Sequence, residues 1–139
     1  MTNQSLAKSY LIKARKRLKI LPVLMDEAAY SDVVRESQEI VELALKGMLR
    51  HAGVEPPKWH DVGKNLIQHQ DRFSRDVSEN LEKLAEISSW LRKEREFSFY
   101  GDIDFIPTEV YKASDAERAM EGARFAVEMA IKAIGPDEG

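Results

Sequence analysis

The chain has 139 residues, 43% of them hydrophobic and 32% charged, with seven glycines, five prolines, three histidines and no cysteine. This length suits one domain with one core, and the lack of cysteine excludes disulfide scaffolds, thiolate zinc sites and cysteine nucleophiles. The net charge of −3 is uneven, because residues 1–25 carry six bases (Lys8, Lys13, Arg15, Lys16, Arg17, Lys19) and no acid.

A first helix is expected from Thr2 or Asn3, with Tyr10, Leu11, Ala14, Leu18 and Leu21 on one side and the bases around the other. Pro22 ends or kinks it. Ser31 is the expected N-cap of a second helix, in which Val33, Ser37, Ile40, Val41, Ala44, Leu45, Met48, Leu49 and Ala52 recur at helical spacing and Gly53 suits the left-handed position after the last turn. Pro56-Pro57 forces an extended connection, then Trp59 to Gln68 reads as a short helix. A long helix is expected over Arg72 to Glu96, with Val77, Leu81, Leu84, Ala85, Ser88 and Leu91 facing inward. Phe97 to Ala113 breaks the helical period and reads as an ordered loop. Ser114-Asp115-Ala116-Glu117 predicts a capping box for a last helix that buries Ala116, Ala119, Met120, Ala123, Val127, Ala130, Ile131 and Ile134, and Gly135-Pro136 stops it. The fold class is therefore all-α, an up-and-down bundle of four main helices plus one short helix, with residues 1–135 as a single domain and 136–139 as a short flexible tail.

Ordering the segment after Glu96 costs conformational entropy unless it packs against or binds something. It holds Phe97, Phe99, Tyr100, Phe105 and Tyr111, is preceded by Arg92 and Arg95, and is interrupted by Asp102 and Asp104. Guanidinium groups can meet a phosphate while rings stack on a base; the competing reading has the aromatics closing one end of the bundle and the arginines pairing with Asp102, Asp104 or Glu96. His60-Asp61 reads as a helix start, with Asp61 accepting backbone donors and His60 an acid–base candidate. His51 and His69, in polar helix ends, read as solvated. Lys13, Lys16 and Arg17 offer phosphate contacts or simply a solvated face. No His-Glu-x-x-His pair, no carboxylate cluster at bundle-metal spacing, no phosphate-cradling glycine loop and no Gly-x-Ser-x-Gly elbow occurs, so no metal or cofactor is expected. No run approaches the ~18 apolar residues of a membrane span, and the opening MTNQSLAKSY lacks a signal-type apolar middle, so a cytoplasmic protein away from membranes is expected.

Three segments, in this order and over nearly the whole chain, resemble the HEPN domain family (higher eukaryotes and prokaryotes nucleotide-binding). They are Tyr30-Ser31-Asp32-Val33-Val34 leading into the helix that ends Leu45-Lys46-Gly47-Met48-Leu49, then Pro56-Pro57-Lys58-Trp59-His60-Asp61-Val62, then Arg95-Glu96-Phe97-Ser98-Phe99-Tyr100-Gly101-Asp102 before the capped terminal helix. The resemblance implies a homodimeric helical bundle, often encoded beside a minimal nucleotidyltransferase in toxin–antitoxin or stress systems. Many relatives are metal-independent ribonucleases whose motif is an arginine, four to six residues, then a histidine, with both subunits' motifs in one cleft. Here Arg95, four residues and Tyr100 stand at that place, and a tyrosine, with an ordinary pKa near 10, is a poorer base than histidine at neutral pH.

The expected role is thus a dimer that binds a nucleotide, an RNA or a nucleotidyltransferase partner through Arg92, Arg95, Tyr100 and Asp102, with Lys13 and Arg17 as further phosphate contacts. Two alternatives stand beside it. One is a metal-independent ribonuclease using Arg95 with Tyr100 or His60; the other is a structural, antitoxin-type dimer without a ligand.

Overall fold

Apolar residues at helical spacing build four long helices, and short helical turns fill the connections. The computed structural model describes residues 3–58 and 61–135, apart from the Glu96 side chain. In order these form α1 (Asn3–Leu18), α2 (Leu21–Asp26), α3 (Tyr30–His51), α4 (Val62–Gln68), a 3₁₀ turn (Gln70–Arg72), α5 (Arg75–Ser78), α6 (Leu81–Phe99), α7 (Pro107–Val110) and α8 (Ala113–Ile134). The expected all-α bundle is what the chain forms, with more short helices between the four main ones than the sequence predicts.

Helix α3 is the centre of the molecule, packed against α1, α6 and α8. Its buried stripe runs from Val33 and Val34 through Ser37, Ile40, Val41, Ala44, Leu45, Met48 and Leu49. That stripe is wider than a surface helix needs because three neighbours cover it. The partner faces are Ala7, Leu11 and Ala14 of α1, Leu84 and Leu91 of α6, and Ala116, Ala119, Ala123, Ala126 and Ala130 of α8. The alanines let α8 lie close along α3.

Several boundaries differ from the expected ones. Pro22 does not end α1, which stops at Leu18; it lies in the first turn of α2, where its missing N–H is not needed. Ser31 does not cap α3. Ala28 takes a left-handed conformation (φ 55°), Ala29 N–H donates to Leu24 O and Ala28 N–H to Met25 O. That double-bonded closure of α2 lets α3 begin at Tyr30, leaving Ser31 buried inside its first turn. The far end of α3 closes as expected on Gly53 (φ 81°), with Val54 N–H donating to Leu49 O.

The single helix expected over Arg72 to Glu96 is three pieces. Arg72 Nη1 donates to Ala52 O (2.9 Å), holding the 3₁₀ turn against the end of α3, and Asn80 Nδ2 takes the Asp76 carbonyl (2.8 Å) before α6 starts. At its other end α6 runs on through Phe97 and Phe99, so the expected loop loses its first residues to the helix. The rest is a tight return. Gly101 takes φ 66°, Asp102 and Phe105 exchange backbone bonds of 3.0 and 3.1 Å, and Asp104 N–H donates to Asp102 Oδ1 at 2.9 Å. The Ser114/Glu117 box is displaced too: α8 starts at Ala113, and Lys112 N–H donates to the Asp115 carboxylate (2.9 Å), which occupies the N-terminal turn.

The return is pinned to α6 by rings. Phe97 meets Phe105 at 5.1 Å between centroids, and Phe105 meets Tyr111 edge-on at 5.8 Å. The buried Tyr111 hydroxyl donates to Glu94 Oε2 at 2.6 Å. Burial first, and the Glu94 carboxylate second, push this phenol well above its ordinary value. An unfolded tyrosine loses its proton near pH 10 while the folded one keeps it, so the stability this group contributes is present below about pH 10 and falls as pH rises beyond it. In urea titrations Tyr111→Phe should lose about 1–2 kcal/mol at neutral pH and show a shallower decline above pH 10 than the parent chain.

Candidate functional site

The wall between α3 and α6 gathers one cluster of charged and aromatic groups. From α3, Arg35 and Glu39 stand one turn apart, with Arg35 Nη2 3.6 Å from Glu39 Oε1. From α6, Arg95 Nη2 reaches the same carboxylate oxygen at 3.4 Å, and the Arg95 side chain remains about half exposed. The Arg35 guanidinium lies 4.6 Å from the Phe99 ring centroid, and Phe99 meets Tyr100 edge-on at 4.7 Å. Tyr100 itself is 75% exposed.

The electrostatics follow from the count of partners. One carboxylate serves two guanidinium groups, so the cluster keeps a surplus positive charge with donors left over for an incoming anion. A second pair lies one turn away on α3, where Glu36 Oε1 is 3.4 Å from Arg17 Nε of α1. Because Glu36 and Glu39 are neighbours on the helix surface, Arg17 and Arg95 are held on either side of the same helix by acids one turn apart. Lys13 is exposed one turn before Arg17.

The remaining residues singled out in the sequence go elsewhere. Arg92 turns toward the start of α4, where with Asp61, Ser89 and Lys93 it lines a groove of about 330 Å³. Asp61 caps α4, its Oδ1 accepting from Gly63 N–H at 2.9 Å. Asp102 spends one carboxylate oxygen on its own turn. His69 Nδ1 is 2.9 Å from Asn65 O, and His51 closes α3 beside α1, its carbonyl accepting from Gln4. From Glu39 to His51 is about 18 Å along the α3 axis, so His51 has no access to Arg95. His60 lies outside the described residues. Among the described residues no group of three or more acidic or histidine side chains is placed to hold a metal ion, and no helix is long and apolar enough to cross a membrane.

Arg35 and Glu39 are the members the sequence reading missed, while Phe99, named there among the aromatics of the segment, lies under the Arg35 guanidinium. The signal available was the Arg35/Glu39 spacing of four, which marks a surface pair on α3 but not the helix that joins it. Aromatics read as one group divide in two: Phe97, Phe105 and Tyr111 pack the return, while Phe99 and Tyr100 face outward.

A family model described as the HEPN domain matches residues 7–134, nearly the whole chain. The chain belongs to the HEPN family. No curated protein and no solved structure matches it. In this HEPN domain Arg95, in the segment whose sequence resembles the family's arginine-and-histidine motif, lies near the end of α6 and pairs with Glu39 of α3, and Tyr100 follows the helix directly, edge-on to Phe99.

Proposed function

We propose that this HEPN domain works as a homodimer that binds nucleotide or single-stranded RNA in a cleft lined by Arg95, Arg35 and Tyr100 of both copies. The observation that carries this reading is the shared Glu39 carboxylate: two guanidinium groups on one acid leave cationic donors at the surface, next to an exposed phenol ring. A phosphate satisfies the spare donors, and a base stacks on Tyr100. Arg17 and Lys13 extend the positive track along α1, whereas Arg92, at the α4 groove, and Asp102, engaged in its own turn, stand outside it.

Apolar exposure supports the pairing. Phe99, Tyr100, Ile103, Ile106 and Val110 all lie within one short segment and all are exposed, with Ile103 at 92%. An exposed apolar run of this kind beside a charged cluster suits a contact between copies. The place of histidine in the family's ribonuclease motif is taken by Tyr100, which favours binding over cleavage. A minimal nucleotidyltransferase as partner, and a toxin–antitoxin or stress system as setting, belong to the same proposal and rest on the family resemblance.

Fluorescence anisotropy with labelled single-stranded RNA tests the site. Arg95→Ala should weaken binding about tenfold and flatten its dependence on salt, whereas Arg75→Ala, on the distant α5, leaves both unchanged. Equal affinity of Arg95→Ala and the parent chain would remove the site. RNA cleavage in chelator that disappears in Arg95→Ala would favour the ribonuclease reading, and absence of any RNA or nucleotide binding would favour the structural dimer.

A further inference from the structure

On the opposite side of α1 from its contact with α3's acids, the helix pairs with α8 to make a second recess. Arg15 and Leu18 of α1, Lys19 of the turn that follows it and Pro22 of α2 form one wall; Arg124, Val127, Glu128 and Ile131 of α8 form the other. The groove is shallow and open to solvent, with a volume of about 480 Å³. Its floor is aliphatic, made by Leu18, Pro22, Val127 and Ile131, and its rim holds three bases against the single acid Glu128. The α8 wall follows helical spacing, i, i+3, i+4 and i+7, and Arg15 and Leu18 stand three apart at the end of α1. Apolar surface continues past the Pro22 end, where Ile20 is 45% and Val23 60% exposed.

We infer that this groove is a docking site for an acidic amphipathic helix of a partner protein. Two parallel ridges leave a channel that a third helix fills with apolar side chains at its own i, i+3, i+4 and i+7 positions. Glutamates or aspartates flanking those anchors meet the exposed Lys19 and Arg124. This charge match selects the occupant from an N-terminal segment that has six bases and no acid. Single-stranded RNA fits less well, because the floor offers aliphatic carbons and no ring for a base to stack on. A membrane surface would meet the projecting Ile20 and Val23 and leave Val127, buried at the groove floor, untouched, so the vesicles in the test read that outcome.

The test uses the full chain and a labelled peptide of about 18 residues, long enough to be helical, with leucines at the four anchor positions and glutamates beside them. A scrambled peptide of the same composition, single-stranded poly(U) and vesicles of phosphatidylserine and phosphatidylcholine complete the set. The patterned peptide should bind, and the scrambled one should bind at least about tenfold more weakly. Lys19→Glu with Arg124→Glu, both at exposed positions, should weaken the patterned peptide about tenfold, and a peptide with lysines in place of the glutamates should recover affinity for that double variant. Arg95→Ala should leave peptide binding unchanged, which separates this surface from the α3–α6 site. Equal binding of patterned and scrambled peptides, no peptide binding, or dependence of RNA or vesicle binding on Lys19 and Arg124 without peptide binding would each overturn the inference.

Discussion

Gly63→Ala is expected to cost this protein about 2 kcal/mol, roughly 8 °C in Tm, although alanine is the better helix former. Gly63 is buried in the first turn of α4, where Asp61 caps the helix. A Cβ there would stand 2.6 Å from Ala85 Cα and 2.9 Å from Ala85 Cβ of α6. The first of these is backbone and cannot swing away, so α4 has to retreat from α6, loosening Val62 and Leu66, which are buried in the core. Propensity favours alanine by only about 1 kcal/mol. Overpacking plus partial loss of Leu66 burial costs about 3 kcal/mol, so the clash wins. Urea unfolding checks this, and a variant as stable as the parent would mean that the α4–α6 contact is looser than described.

How far the sequence could be read depends on whether the deciding contact was local. The apolar stripe of α3, its closure on Gly53 and the cap at Asp61 are set within a few residues, and all three were legible. Ser31 was misjudged because Ala28, a residue with no sequence mark for a left-handed turn, closes α2 and sets where α3 starts. Phe97 and Phe99 looked like loop residues because Gly101 and Pro107 follow closely. In the folded chain the aromatic side chains are anchored from opposite sides, Phe97 by Phe105 and Phe99 by Arg35, which keeps α6 helical to its end. At the candidate site, Arg95 and Tyr100 stood out through motif spacing. Arg35 and Glu39 did not, because their part arises only when α3 and α6 pack side by side.

Replacing Ile103 and Ile106 together with aspartate is expected to weaken dimer formation about a hundredfold. Full burial of an isoleucine contributes about 1.5–3 kcal/mol, so Ile103, almost wholly exposed, and Ile106, about half exposed, together contribute about 2–4 kcal/mol to a contact between copies, which each aspartate's charge opposes further. A loss near 3 kcal/mol corresponds to the hundredfold change. The fold should survive, since Ile103 is 92% and Ile106 45% exposed in the single chain. The same substitutions leave Arg35, Glu39 and Arg95 in place but add two negative charges near the site, so Ile103→Ser with Ile106→Ser, which adds none, separates loss of pairing from direct repulsion of RNA.

Sedimentation equilibrium with labelled single-stranded RNA reads association state and bound RNA in the same cell, and it bears most directly on a cleft shared by two copies. The parent chain should sediment as a dimer carrying one RNA, and the Ile103→Asp, Ile106→Asp chain as a monomer carrying almost none. A parent chain that stays monomeric and binds one RNA per chain, or a double variant that binds as tightly as the parent, would contradict the shared cleft.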